Sequence, residues 1–193
     1  STHLATTLTR IRRTTAFAIA HLLILGAALL ISPAGTASAQ ADLPAPIIQS
    51  TALTDAQKQE IASYANAGLA LFRSDTWSEA RRGRDQILLP LSDAGVSVAF
   101  RLEYSRLLTD AMKAAAAKGQ PDVRRLNALR VLGAIATAQS TGPIADHFAD
   151  TSPSIRFMAA QAAGSAFRAL ATSSPALPSG DAVRLVNGLA KLV

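Results

Sequence analysis

An all-α fold, built as an α-solenoid of antiparallel helix pairs, is what this sequence predicts, on three observations. The apolar share is 49%, yet aromatics make up only 5%, because alanine supplies so much of it. Alanine is the best helix former, whereas strands favour β-branched and aromatic runs that are few here. Helix caps, apolar stripes at spacings of three and four, and Gly or Pro breakers recur at short intervals. Finally, Pro121-Asp122-Val123-Arg124-Arg125-Leu126-Asn127-Ala128 aligns, 32 residues later, with Pro153-Ser154-Ile155-Arg156-Phe157-Met158-Ala159-Ala160. Self-similarity at that period marks stacked helical repeats.

Residues 1–39 read as a secretory signal. Arg10, Arg12 and Arg13 form a positive start, Ala16 to Ile31 is an apolar run, and Pro33 and Gly35 break it. Ala37-Ser38-Ala39 then offers the small side chains that a signal peptidase accepts, with Gln40 as the expected new N-terminus. The run is shorter than the ~20 residues that span a bilayer, which favours cleavage over an uncleaved membrane anchor. Arg12-Arg13 lacks the phenylalanine expected two residues after a twin-arginine pair, so ordinary export to the periplasm or medium is predicted.

Residues 40–53 are expected to be an extended linker, with Pro44 and Pro46 blocking helix. Residues 54–193 form the predicted helical repeat domain. Thr54 and Gln57 make a capping box for a first helix with Ile61, Tyr64, Ala65, Gly68, Leu69 and Phe72 on one face. Asp75 is expected to cap a second helix, ended by Pro90. A third runs from Val96 to Lys118 and stops at Gly119; a fourth follows Pro121 to about Thr137. Thr141 and Pro143 are expected to open a fifth, Ser152 and Pro153 a sixth, and Gly180 the last. That last helix ends on apolar Leu192-Val193, so another helix or a partner is expected to cover the edge, with the chain continuing. Connections of a few residues make neighbouring helices antiparallel.

A third, looser copy of the repeat is Val183-Arg184-Leu185-Val186-Asn187-Gly188. The stretch Asp150, Pro153, Ile155, Arg156, Ala159, Ala160 closely resembles the second helix of a HEAT-like repeat, in the shorter bacterial form. Val123 and Arg124 stand at the matching places in the earlier copy. The resemblance covers residues 121–193 and implies that Asp150 and Arg156 link adjacent repeats through hydrogen bonds. In residues 54–118, Gly68, Trp77 and Ala80 are spaced as in a tetratricopeptide repeat, with Pro90 two residues short of that repeat's terminal proline. There Trp77 is expected to pack between helices.

Chemistry is sparse. The chain has no cysteine, which removes thiolate metal sites and a thiol nucleophile. His147 is the only histidine beyond the leader, beside Asp146 and Asp150 at a turn, where a capping or surface role is expected. No phosphate loop or catalytic triad can be nominated, so no catalytic, cofactor or metal residues are expected. Setting the three leader arginines aside leaves sixteen basic against thirteen acidic side chains, net +3. Residues 81–130 hold ten basic and five acidic side chains, densest at Arg81-Arg82-Gly83-Arg84. Export makes nucleic acid an unsuitable partner. The reading is therefore a non-enzymatic scaffold for a protein partner in the cell envelope. Its rival is a membrane-tethered or polyanion-binding protein using residues 81–130.

Overall fold

A computed structural model describes residues 42–172 and 178–191. The chain divides into Ser1–Ala39 and Gln40–Val193, and the described residues belong to the second unit. The leader, with Ala37 and Ala39, and the terminal pair Leu192-Val193 lie outside the described residues. Among the described residues there are eight α-helices, one 3-10 turn and no strand.

Residues 43–53 do not form an extended linker. Ala45–Ile48 (α1) is a turn of helix with proline in its opening positions. There a missing N–H costs nothing and the fixed φ suits a helix. Leu43, Ile47 and Ile48 are buried. Ser97 N–H and Oγ then donate to the carbonyls of Ile48 (2.9 Å) and Ser50 (2.5 Å), strapping the segment to the start of a later helix.

Asp55–Phe72 (α2) opens on the expected capping box: Gln57 N–H donates to Thr54 Oγ1, and Thr54 N–H to Gln57 Oε1. Its buried residues are the six of the sequence stripe. Trp77–Leu88 (α3) is not capped by Asp75. Thr76 holds that position without a side-chain cap, and Ser74 Oγ accepts Thr76 N–H while donating to Glu79. Pro90 does not stop the chain abruptly but sits inside a 3-10 turn, Leu89–Ser92. Val98–Ala116 (α4) is capped by Ser97 and followed by Gly119 at φ 91°, the left-handed region glycine tolerates.

Asp122–Ile135 (α5) ends earlier than expected, because Ala136 takes φ 51° without a glycine to announce it. Arg101 enforces this end, its Nη1 donating to the carbonyls of Ala134 (2.6 Å) and Ile135 (3.0 Å). Burial pushes the Arg101 guanidinium below its ordinary pKa. The next helix, Ala138–Ala145 (α6), starts ahead of Thr141 and carries Pro143 in its interior. Thr137 N–H is satisfied by Ser140 Oγ, which provides a start that needs no proline. Pro153–Thr172 (α7) and Ser179–Ala190 (α8) complete the unit.

Contacts fall into two rows. Helices α2, α4, α6 and α8 touch in succession, as do α3, α5 and α7, and α2/α3, α4/α5, α5/α6 and α6/α7 pack across. Gly68 meets Ile87 while Gly83 meets Phe72, so α2 and α3 run antiparallel. By contrast, Arg124 pairs with Asp75 at 3.2 Å and Ser152 Oγ bonds Asp122 at 3.2 Å. The starts of α3, α5 and α7 therefore lie side by side, and these three helices run in the same direction.

Two phenols hold the end of α3: Tyr64 donates to the Gln86 carbonyl (2.9 Å) and Tyr104 to that of Ile87 (3.1 Å). Burial first, then Asp42, pushes Tyr64 up from 10.0 to about 12, and burial pushes Tyr104 up further. Unfolded phenols ionise near pH 10, so the folded state binds more protons above that pH. Stability should be intact below pH 10 and fall as pH rises towards 12. An alkaline titration should show phenolate absorbance and helix loss in one cooperative step. Phenolate appearing near pH 10 with helicity retained would contradict it.

Candidate functional surface

The expected repeat residues divide into those that pack and those that do not. Ile155 and Ala159 are fully buried, Ala160 and Arg156 are half-buried, and Pro153 begins α7. Val123, aligned with Ile155, is instead half-exposed, and Arg124 reaches exposed Asp75. The buried residues Ile155, Met158, Ala159, Ala162, Ala163 and Ala166 fall thirty residues after Arg125, Ala128, Leu129, Leu132, Gly133 and Ala136, which are all buried too. Burial thus repeats two residues out of step with the sequence alignment. Helix α5 is buried around more of its circumference than α7, since α3, α4, α6 and α7 all pack on it.

Burial of Arg125 in place of Arg124 sets the partner of Asp150. Its carboxylate takes a close ion pair from Arg125 Nη2 and the Ser152 N–H at 3.0 Å. Arg156 does not touch the carboxylate. Its Nη1 donates to the Asp150 carbonyl at 2.8 Å and the Thr151 carbonyl at 3.3 Å. Burial alone would raise the Asp150 carboxyl, but the Ser152 N–H and Arg125 outweigh it and hold it below the usual range. Arg125 Nε also donates to the Ala116 carbonyl, 3.1 Å away. One buried cluster therefore joins the end of α4, the start of α5 and the loop before α7.

His147 belongs to the same cluster. Nδ1 lies 2.8 Å from the Pro143 carbonyl and Nε2 2.7 Å from that of Ala116, so both ring nitrogens face acceptors and the ring ties α4 to α6. Among the described residues, no group of three or more His, Cys, Asp or Glu could hold a metal ion. No described helix is long and apolar enough to cross a membrane.

What the sequence missed is an exposed face. Trp77 is not packed between helices but 61% exposed, with the Arg81 guanidinium 5.5 Å from its ring centroid. Val123 and Phe157 are exposed at 50% and 63%. These residues stand near the starts of α3, α5 and α7, the ends that lie side by side. Trp77 and Val123 line a shared dent of about 170 Å³. Charge follows the same division. Helices α3, α5 and α7 carry eight basic and three acidic side chains, while α2, α4, α6 and α8 carry five of each. The excess on one row comes from aligned helices, so no contiguous run in the sequence signals it.

No protein-family model matches the chain, and no curated protein or solved structure shows significant similarity to it.

Proposed function

We propose that residues 42–191 are a HEAT-like α-solenoid scaffold that docks a protein partner on the α3/α5/α7 face, after export to the cell envelope. The observation that carries this reading is that exposed Trp77, Val123 and Phe157 stand near the adjacent starts of three parallel helices, which also carry the exposed Arg82 and Arg130. Aromatic and arginine side chains supply most of the energy at protein interfaces. Two successive rows of touching helices support the solenoid, and the three-part leader supports export. The reading assigns no reaction to the chain.

A polyanion site spread along residues 81–130 has less support. Arg81, Arg84, Arg106, Arg124 and Arg125 are engaged in ion pairs, and Arg101 is buried.

A photo-reactive amino acid at position 157 or 123 should yield one discrete cross-linked protein in envelope preparations. At Leu102, equally exposed but on α4, it should yield none. Products from position 102 alone, or none from 157 and 123, would sink the proposal.

A further inference from the structure

We infer that a cleft between the start of α7 and helix α8 binds a single-chain amphiphile with an anionic head. The cleft has a volume of about 810 Å³, inside the range of roughly 300–1,000 Å³ typical of small-molecule sites. Its cationic side chains are Arg156, Arg184 and Lys191, and no carboxylate lines it. Apolar walls come from Ala145, Phe148 and Val183. The two characters are complementary to a charged head and a hydrocarbon tail.

The cations are arranged to leave charge available. Arg156 spends Nη1 on two loop carbonyls, which orients the guanidinium without neutralising it. Arg184 pairs with Asp146 at 2.8 Å, and both side chains are more than half exposed, so the pair is screened and its hold is weak. Lys191 makes no ion pair among the described residues. Among the described residues, three cations against Asp146 leave a net +2 at the rim, where an incoming carboxylate or phosphate gains charge-assisted hydrogen bonds. Phe148 is buried against Gly188, which keeps the apolar wall in place as the head is exchanged.

The site shares only the start of α7 with the docking face, its other lining residues lying on α6, the turn after it and α8, so its test does not depend on that reading. The probe is a dansylated undecanoic acid titrated into the full chain, with palmitate, hexadecanol and inorganic phosphate as competitors. Saturable fluorescence enhancement is expected, displaced by palmitate but not by hexadecanol or phosphate. Lys191→Glu and Val183→Asp should each weaken binding at least about tenfold, that is ~1.4 kcal/mol, with helicity retained. Lys58→Glu on α2 should leave it unchanged. Hexadecanol competing as well as palmitate would overturn head-group recognition. Phosphate displacing the probe would reduce the site to a simple anion site. Undiminished binding by both cleft variants would place the amphiphile elsewhere and overturn the assignment.

Discussion

Asp150→Ala is expected to lower the unfolding free energy by ~3–5 kcal/mol, the cost of leaving one partner of a buried ion pair alone. The side chains of Arg125 and Asp150 are only 7% and 2% exposed, so water cannot replace the lost carboxylate. Asp122 lies 3.4 Å from Arg125 but is half in solvent, and offsets little of the loss. Arg125→Ala should cost a similar amount, and the double variant far less than the sum, because either change breaks the same bond. Coupling between Asp150 and Arg156 should be much smaller, since Arg156 bonds the backbone carbonyl that alanine retains. Arg124→Ala should scarcely move the midpoint, its partner Asp75 being wholly in solvent. The same carboxylate makes the fold acid-sensitive. Its depressed pKa contributes stability above the unfolded value near 3.8, lost as pH falls through the folded value. Asp150→Ala should therefore flatten the stability profile below about pH 4. Urea melts of the four single variants and of the Arg125/Asp150 and Asp150/Arg156 doubles decide the matter. Equal losses at Arg124 and Arg125 would show that the buried place of Arg125 is wrongly assigned.

Which of two adjacent arginines is buried illustrates what the sequence could and could not reveal. Arg124 and Arg125 point about 100° apart on a helix, and the 32-residue alignment favours the first. Only the packing of α5 against several neighbours selects the second, and no local pattern records that. Features closed within one turn were legible. The Thr54/Gln57 box depends on residues three apart, and the α2 stripe on spacings of three and four. Features set by distant contacts were not. Ala136 is left-handed because Arg101, from another helix, holds the carbonyls just before it. The prolines near residue 45 admit a helical turn because Ser97 anchors its end. Trp77 has a spacing that suits packing, yet α3 turns it outward. The exposed Trp77, Val123 and Phe157 were illegible as a group for the same reason: the helix starts that carry them lie side by side only in the folded chain.

Three glycines within helices should respond to alanine with opposite signs, and geometry orders them. An exposed helical Gly→Ala change normally stabilises by ~0.5–1 kcal/mol, through propensity and a less flexible unfolded chain. Gly164 on α7 has nothing within 4 Å of the added methyl, so Gly164→Ala should gain that amount. At Gly133 the methyl would stand 2.7 Å from both Cα and the carbonyl oxygen of Ala162, where α5 crosses α7. At Gly83 it would stand 2.3 Å from the Phe72 nitrogen and 2.7 Å from the Gly68 oxygen. Both obstacles are backbone, so no rotamer change relieves them and whole helices must part. Overpacking of this kind costs ~1–3 kcal/mol and occasionally more, and it overrides the propensity gain. Gly83→Ala should be the more damaging, since its contact is shorter and α2 and α3 have no smaller residue to offer. Ala162→Gly should not rescue Gly133→Ala, because the atoms in the way belong to the main chain. Thermal melts of the three variants provide the test. Stabilisation at position 83 or 133 would mean that the helices sit farther apart than described, and the α2/α3 and α5/α7 crossings would have to be redrawn.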